Sequence, residues 1–133
     1  MQTHEFYGRV QDKARLSDLD SSIRATRAAL ATLAERIGVD ASLHLGAELP
    51  GEIARHLREA TVGTHVRFDA HDFLARVSAR EGEDLPVATQ HACAVLATLD
   101  EAVSAGEMAR VRARLPDDYA QLFARAQGHQ PSA

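Results

Sequence analysis

Seven histidines stand among 133 residues beside 19 acidic side chains. These are the groups that bind divalent metals or carry protons near neutral pH. Paired ligands on one helix face need spacings such as H-x-x-x-H, H-E-x-x-H or E-x-x-H, and none of the three occurs. The nearest arrangement is Glu52, His56 and Glu59, which share one helical face. It reads as a solvated polar face rather than a metal site, because its counterparts later in the chain, Asp118, Leu122 and Arg125, do not repeat it. His4-Glu5 and His71-Asp72 do recur. Such a pair could hold a metal or form a pH-sensitive contact. The stronger reading is structural: Glu5–Arg9 and Asp72–Arg76 are acid-to-base i,i+4 pairs, and acids favour a helix start.

Nucleophilic chemistry has even less support. Cys93 is the only cysteine, and His91 lies two residues before it, on a different side of any helix. A Cys–His nucleophile needs spatial adjacency and an orienting third group, so Cys93 reads as a small buried hydrophobe. There is no G-x-S-x-G, Walker loop or dinucleotide glycine pattern. No catalytic constellation emerges; a non-enzymatic protein is expected, with no cofactor and no metal ligands to name.

Two further sets of charges stand out. Arg9, Arg76, Glu35 and Glu101 are present in both copies of an internal repeat. Each arginine follows a core Phe by three residues and is expected to act as an interior strut, reaching a carbonyl or the long-helix glutamate, with a ligand or partner contact as the alternative. Arg110, Arg112 and Arg114 form the second set, with Arg110 and Arg114 on one face and Arg112 turned away. This patch belongs to one copy only. It reads as solvated arginines answering Glu107, Asp117 and Asp118 rather than as a nucleic-acid or acidic-partner site.

The elements that would carry these residues come from the repeat. At an offset of 66, Ala28–Leu57 and Ala94–Phe123 share ten identical positions, among them LATL (Leu30–Leu33 and Leu96–Leu99) and the Leu-Pro pairs ending at Pro50 and Pro116. Upstream the offset is 67, and HEFYGRV (His4–Val10) matches HDFLARV (His71–Val77). Each copy reads as helix, turn, long helix, short helix, helix. Ile23, Thr26, Leu30, Leu33 and Ile37 form one apolar stripe, and Thr89, Ala92, Leu96, Leu99 and Val103 form its twin. The long helices are expected over about Ser21–Ile37, capped by Asp20, and Val87–Val103, with Pro86 in the first turn. SAGE (Ser104–Glu107) has capping-box form. Asp117 and Asp118 are placed in the first turn of the last helix.

The expected fold is an all-α helical bundle of two similar four-helix repeats in a pseudo-two-fold arrangement. Residues 1–62 form the first, 63–68 an extended connector, 69–127 the second and 128–133 a flexible tail, together one compact domain. Composition agrees, with 45% apolar and 26% charged residues, no Trp and six aromatics. The net charge is -4 and neither half is basic, which disfavours nucleic acid as a partner. One cysteine excludes an internal disulfide framework. The first 20 residues show no apolar signal segment and no run is long enough for a membrane span, so a cytoplasmic protein is expected.

FLARV, VLATLDEAV and ARLPDDYAQLF, with their first-copy counterparts, resemble the bacterial domain of unknown function 2267 over about residues 4–125. The first copy departs at Gly38-Val39 and at Gly51. The resemblance implies a small all-helical protein and supplies no catalytic residues. The expected role is a protein-interaction module or homo-oligomeric scaffold, its partner being an unknown protein or a second copy. The alternative is a ligand- or metal-sensing bundle with its site between the repeats, near His4, His71, Arg9 and Arg76.

Overall fold

A computed structural model of the chain describes residues 1–59 and 67–128. Among these are eight helices and no strand: α1 (Thr3–Ala14), α2 (Leu19–Ile37), α3 (Val39–Gly46), α4 (Gly51–Glu59), α5 (Ala70–Glu81), α6 (Leu85–Ala102), α7 (Ala105–Ala113) and α8 (Tyr119–Ala126). The all-α bundle expected from the periodicity is what the chain forms. Residues 63–66 of the expected connector, and all of the expected tail after Gly128, lie outside the described residues. None of the described helices is long and apolar enough to cross a membrane.

The helix limits follow local chemistry. Helix α2 starts two residues earlier than its apolar stripe suggests, because Asp18 rather than Asp20 is the cap: the Ser21 N–H donates to the Asp18 carboxylate at 2.7 Å. Asp84 caps α6 in the same way through Val87 N–H, with Pro86 in the first turn. Ser104 caps α7 through Glu107 N–H. Asp117 and Asp118 precede α8 rather than sitting in its first turn. Asp118 instead accepts from the Ala70 N–H at the start of α5. Helix α1 ends at Arg15 with φ 55°, and α5 ends at Gly82 with φ 74°.

Helices α2 and α6 pack against each other at the centre. Helix α1 lies on both α2 and α6, while α5 lies on both α6 and α2. Helix α4 covers α2, α8 covers α6, and α3 meets α4 and α7. Phe6, Val10, Leu30, Leu33, Phe73, Val77, Leu96 and Leu99 are almost fully buried in one continuous core. Each such side chain contributes about 1.5–3 kcal/mol of transfer free energy. Gly46 lets α3 lie tightly on α4, since a Cβ there would stand 3.4 Å from the Ala54 Cβ.

Candidate functional site

The four repeated charges fall into two ion clusters, each crossing between the first four helices and the last four. In one, Arg9 of α1 donates to Glu101 of α6 at 2.9 Å and to Glu5 at 2.7 Å. Lys13 joins it with Nζ 3.0 Å from Glu101 Oε2. In the other, Arg80 of α5 donates to Glu35 of α2 at 2.9 Å and to the Thr32 hydroxyl at 2.7 Å, with Arg76 3.3 Å from the same Glu35 oxygen. The guanidinium of Arg76 also lies 4.3 Å from the Phe68 ring centroid.

Both arginines therefore reach a long-helix glutamate, but they are not interior. Their side chains are 42% and 41% exposed. They also stand in different clusters, so the structure does not gather Arg9, Arg76, His4 and His71 into one site. His4 and His71 are both exposed. The expected Glu5–Arg9 pair forms, whereas Asp72–Arg76 does not, because Arg76 turns to Glu35. Among the described residues no group of three or more His, Cys, Asp or Glu converges as a metal site.

Hydrogen bonding from Arg80 holds the Glu35 carboxyl below the ordinary 4.5. Burial pushes Glu101 upward, and the bonds from Arg9 and Lys13 together outweigh it, leaving the carboxyl lowered.

Of the Glu52–His56–Glu59 face, Glu52 and Glu59 are exposed as expected, but His56 is not. His56 is 6% exposed because Tyr7 of α1 lies across α4. The Tyr7 hydroxyl donates to Glu52 at 2.8 Å and stands 2.7 Å from His56 Nε2. With the one phenol proton on Glu52, the imidazole donates through Nε2–H, and its buried Nδ1 has no partner among the described residues. Burial lowers the His56 pKa below 6.5. Glu59 turns away to Arg27 at 2.8 Å.

A second buried imidazole, His91 of α6, bonds through Nδ1 to the buried Glu81 at the end of α5. Burial raises the Glu81 pKa, while the His91 bond opposes it. His91 is thus engaged away from Cys93. Burial also raises the Cys93 thiol, so the cysteine is a packed side chain rather than an activated nucleophile.

Cys93 and Ala97 face an open groove of about 720 Å³ along α6, walled by the ends of α1 and α8 at Arg15 and Arg125. In the arginine patch, Arg110 lies 3.8 Å from Glu107 and Arg112 covers the Phe123 ring at 5.0 Å, while Arg114 is exposed. Glu107 also meets His44 of α3 at 2.7 Å. Beside it, Glu48 accepts from the Ser104 N–H at 2.8 Å, so the cap of α7 is completed from the first four helices.

Lys13, Arg80, Tyr7 and Glu81 were missed as partners. The offset of 67 equates Lys13 with Arg80, both one helical turn beyond Arg9 and Arg76, and that was the available signal. No comparable signal existed for Tyr7 or Glu81, whose counterparts are Leu74 and Ala14.

A comparison with curated proteins finds no match. The family model described as uncharacterized conserved protein DUF2267 matches residues 3–122. With nearly the whole described bundle inside that match, the chain belongs to the DUF2267 family.

Proposed function

We propose that this chain is a non-enzymatic helical interaction module of the cytoplasm, acting through contacts with a second copy or with another protein. The observation that carries this reading is the outer face of α3. Val39 and Leu43, one turn apart, are 40% and 56% exposed, an apolar ridge with no packing role inside the bundle. The charges repeated in the sequence, by contrast, are engaged in holding helices together. The chain is further read as two copies of one four-helix unit about a pseudo-two-fold axis. The reciprocal packing of α1 on α6 and α5 on α2 supports that arrangement. Nucleic acid is not the proposed partner, given a net charge of -4.

Native mass spectrometry of the untagged protein, beside sedimentation over a concentration series, tests the reading. Assembly that grows with concentration supports self-association. Strictly monomeric protein that also captures nothing from its host lysate would sink the proposal. Extra mass retained only under native conditions would favour the alternative, a bundle that senses a small ligand or metal.

A further inference from the structure

The groove along α6 and the ridge on α3 are different surfaces of one molecule, and their chemistries match. The middle of the groove carries the small side chains Cys93, Ala94 and Ala97, between Gln90 at one end and Asp100 and Glu101 at the other; small side chains let another helix approach to about 8–10 Å between axes. Arg15 and Arg125 line it, together with Lys13 and Glu101, which pair with each other, and Asp100, which accepts from Gln127. Neither Arg15 nor Arg125 joins an ion pair among the described residues.

Helix α3 offers the opposite relief. Its exposed arc carries Val39 and Leu43, with Asp40 alongside and the exposed Ala47 just past its end. Asp40 likewise joins no ion pair among the described residues. At 1.5 Å per residue the ridge from 39 to 47 is about 12 Å long and the floor from 90 to 100 about 15 Å. Among the described residues, an apolar ridge beside a carboxylate without an ion pair faces outward in one place, and a trough in which two guanidiniums without ion pairs outnumber the one such carboxylate, Asp100, opens in another.

We propose that α3 of a second copy of this chain docks in the α6 groove, with Val39 and Leu43 on Cys93 and Ala97 and with Asp40 answering the rim arginines. This rests on the self-association reading above and names its interface. Because ridge and groove are distinct patches, the contact is head-to-tail: each added copy leaves one free ridge and one free groove, so growth continues unless the geometry closes a ring. A helix of eight residues buries less than the roughly 1,200 Å² of a stable interface, so the association is weak and reversible.

The test uses two variants. Leu43→Glu spoils the ridge and Ala97→Glu fills the groove with a charge that repels Asp40; neither position is buried, and circular dichroism checks that both variants fold. Sedimentation is run at concentrations up to roughly 0.5 mM, where weak contacts populate. The wild type is expected to grow with concentration and each variant to stay monomeric. An equimolar mixture of the two is expected to form dimers and nothing larger, since it holds one intact ridge and one intact groove. A mixture that stays monomeric, or that exceeds a dimer, overturns the proposal. If the wild type and both variants all assemble, the interface lies elsewhere and self-association stands. If the wild type never assembles, both the interface and self-association fall.

Discussion

Arg15 turns the chain at φ 55° where Gly82, 67 residues later, turns it at 74°. Each ends the first helix of its half, and each backbone enters the left-handed region, which costs a residue with a Cβ about 1 kcal/mol. Arg15→Gly is therefore expected to stabilise the fold by about 0.5–1 kcal/mol, and Gly82→Ala to destabilise it by about 1 kcal/mol. A Cβ at Gly82 would meet nothing within 4 Å, so its cost is backbone strain alone. Urea unfolding measures both. An Arg15→Gly variant that loses stability would show that the guanidinium does more for the fold than the turn costs.

Glu35 is the shared acceptor of Arg76 and Arg80. Replacing it with Gln is expected to cost about 0.5–1 kcal/mol at neutral pH, the value of a part-exposed network. Its folded pKa lies below 4.5, so the contribution is complete above that value and is lost as pH falls through the folded one. Wild type and Glu35→Gln should therefore differ in Tm at pH 7 and converge at strongly acidic pH. A gap that persists in acid would place the effect in packing instead.

The buried Tyr7–His56 contact gives a slope of a different origin. With the folded His56 pKa below 6.5, the unfolded chain binds a proton between 6.5 and the lower folded value that the folded chain refuses. The contribution of His56 is thus complete above 6.5 and shrinks as pH falls. Tyr7→Phe removes the acceptor of a buried imidazole N–H and is expected to cost about 1–3 kcal/mol. Adding His56→Leu, the residue type found at the counterpart Leu122, should recover much of that loss and flatten the dependence of stability on pH below 6.5. Additive losses in the double variant would contradict the pairing.

Glu48 completes the cap of α7 by accepting from the Ser104 N–H. Glu48→Ala is expected to cost about 0.5–1 kcal/mol, in the range of an ordinary cap. Its particular signature is local: hydrogen exchange in the first turn of α7 should quicken while the amides of α2 remain protected. Uniform acceleration throughout the chain would mean that the bond matters only to global stability.

Much of the fold was legible because α2 and α6 carry regular apolar stripes and Leu-Pro pairs mark the breaks. The cap of α2 is Asp18 rather than the expected Asp20, which lies nearer the stripe, and the offset of 66 that pairs Asp18 with Asp84, the cap of α6, is the signal for it. His56 defeated the helical wheel for a physical reason. A wheel assigns solvent to whatever face its own core residues leave over, while the burial of His56 comes from Tyr7, 49 residues away. The cross-cluster arginines were found by repetition, but their exposure depends on crossing geometry, which a one-dimensional pattern does not contain.

The packing of α1 on α6 has a consequence for synthesis. Arg9 meets Glu101 across 92 residues, so a nascent chain has made α1 to α4 long before the second surface on which α1 rests has left the ribosome. Until α6 emerges, apolar side chains on α1 and α2 lack part of their cover and are available to chaperones. Folding of the whole is thereby timed by its last helices, and truncation within α6 should yield insoluble product rather than a half-sized domain.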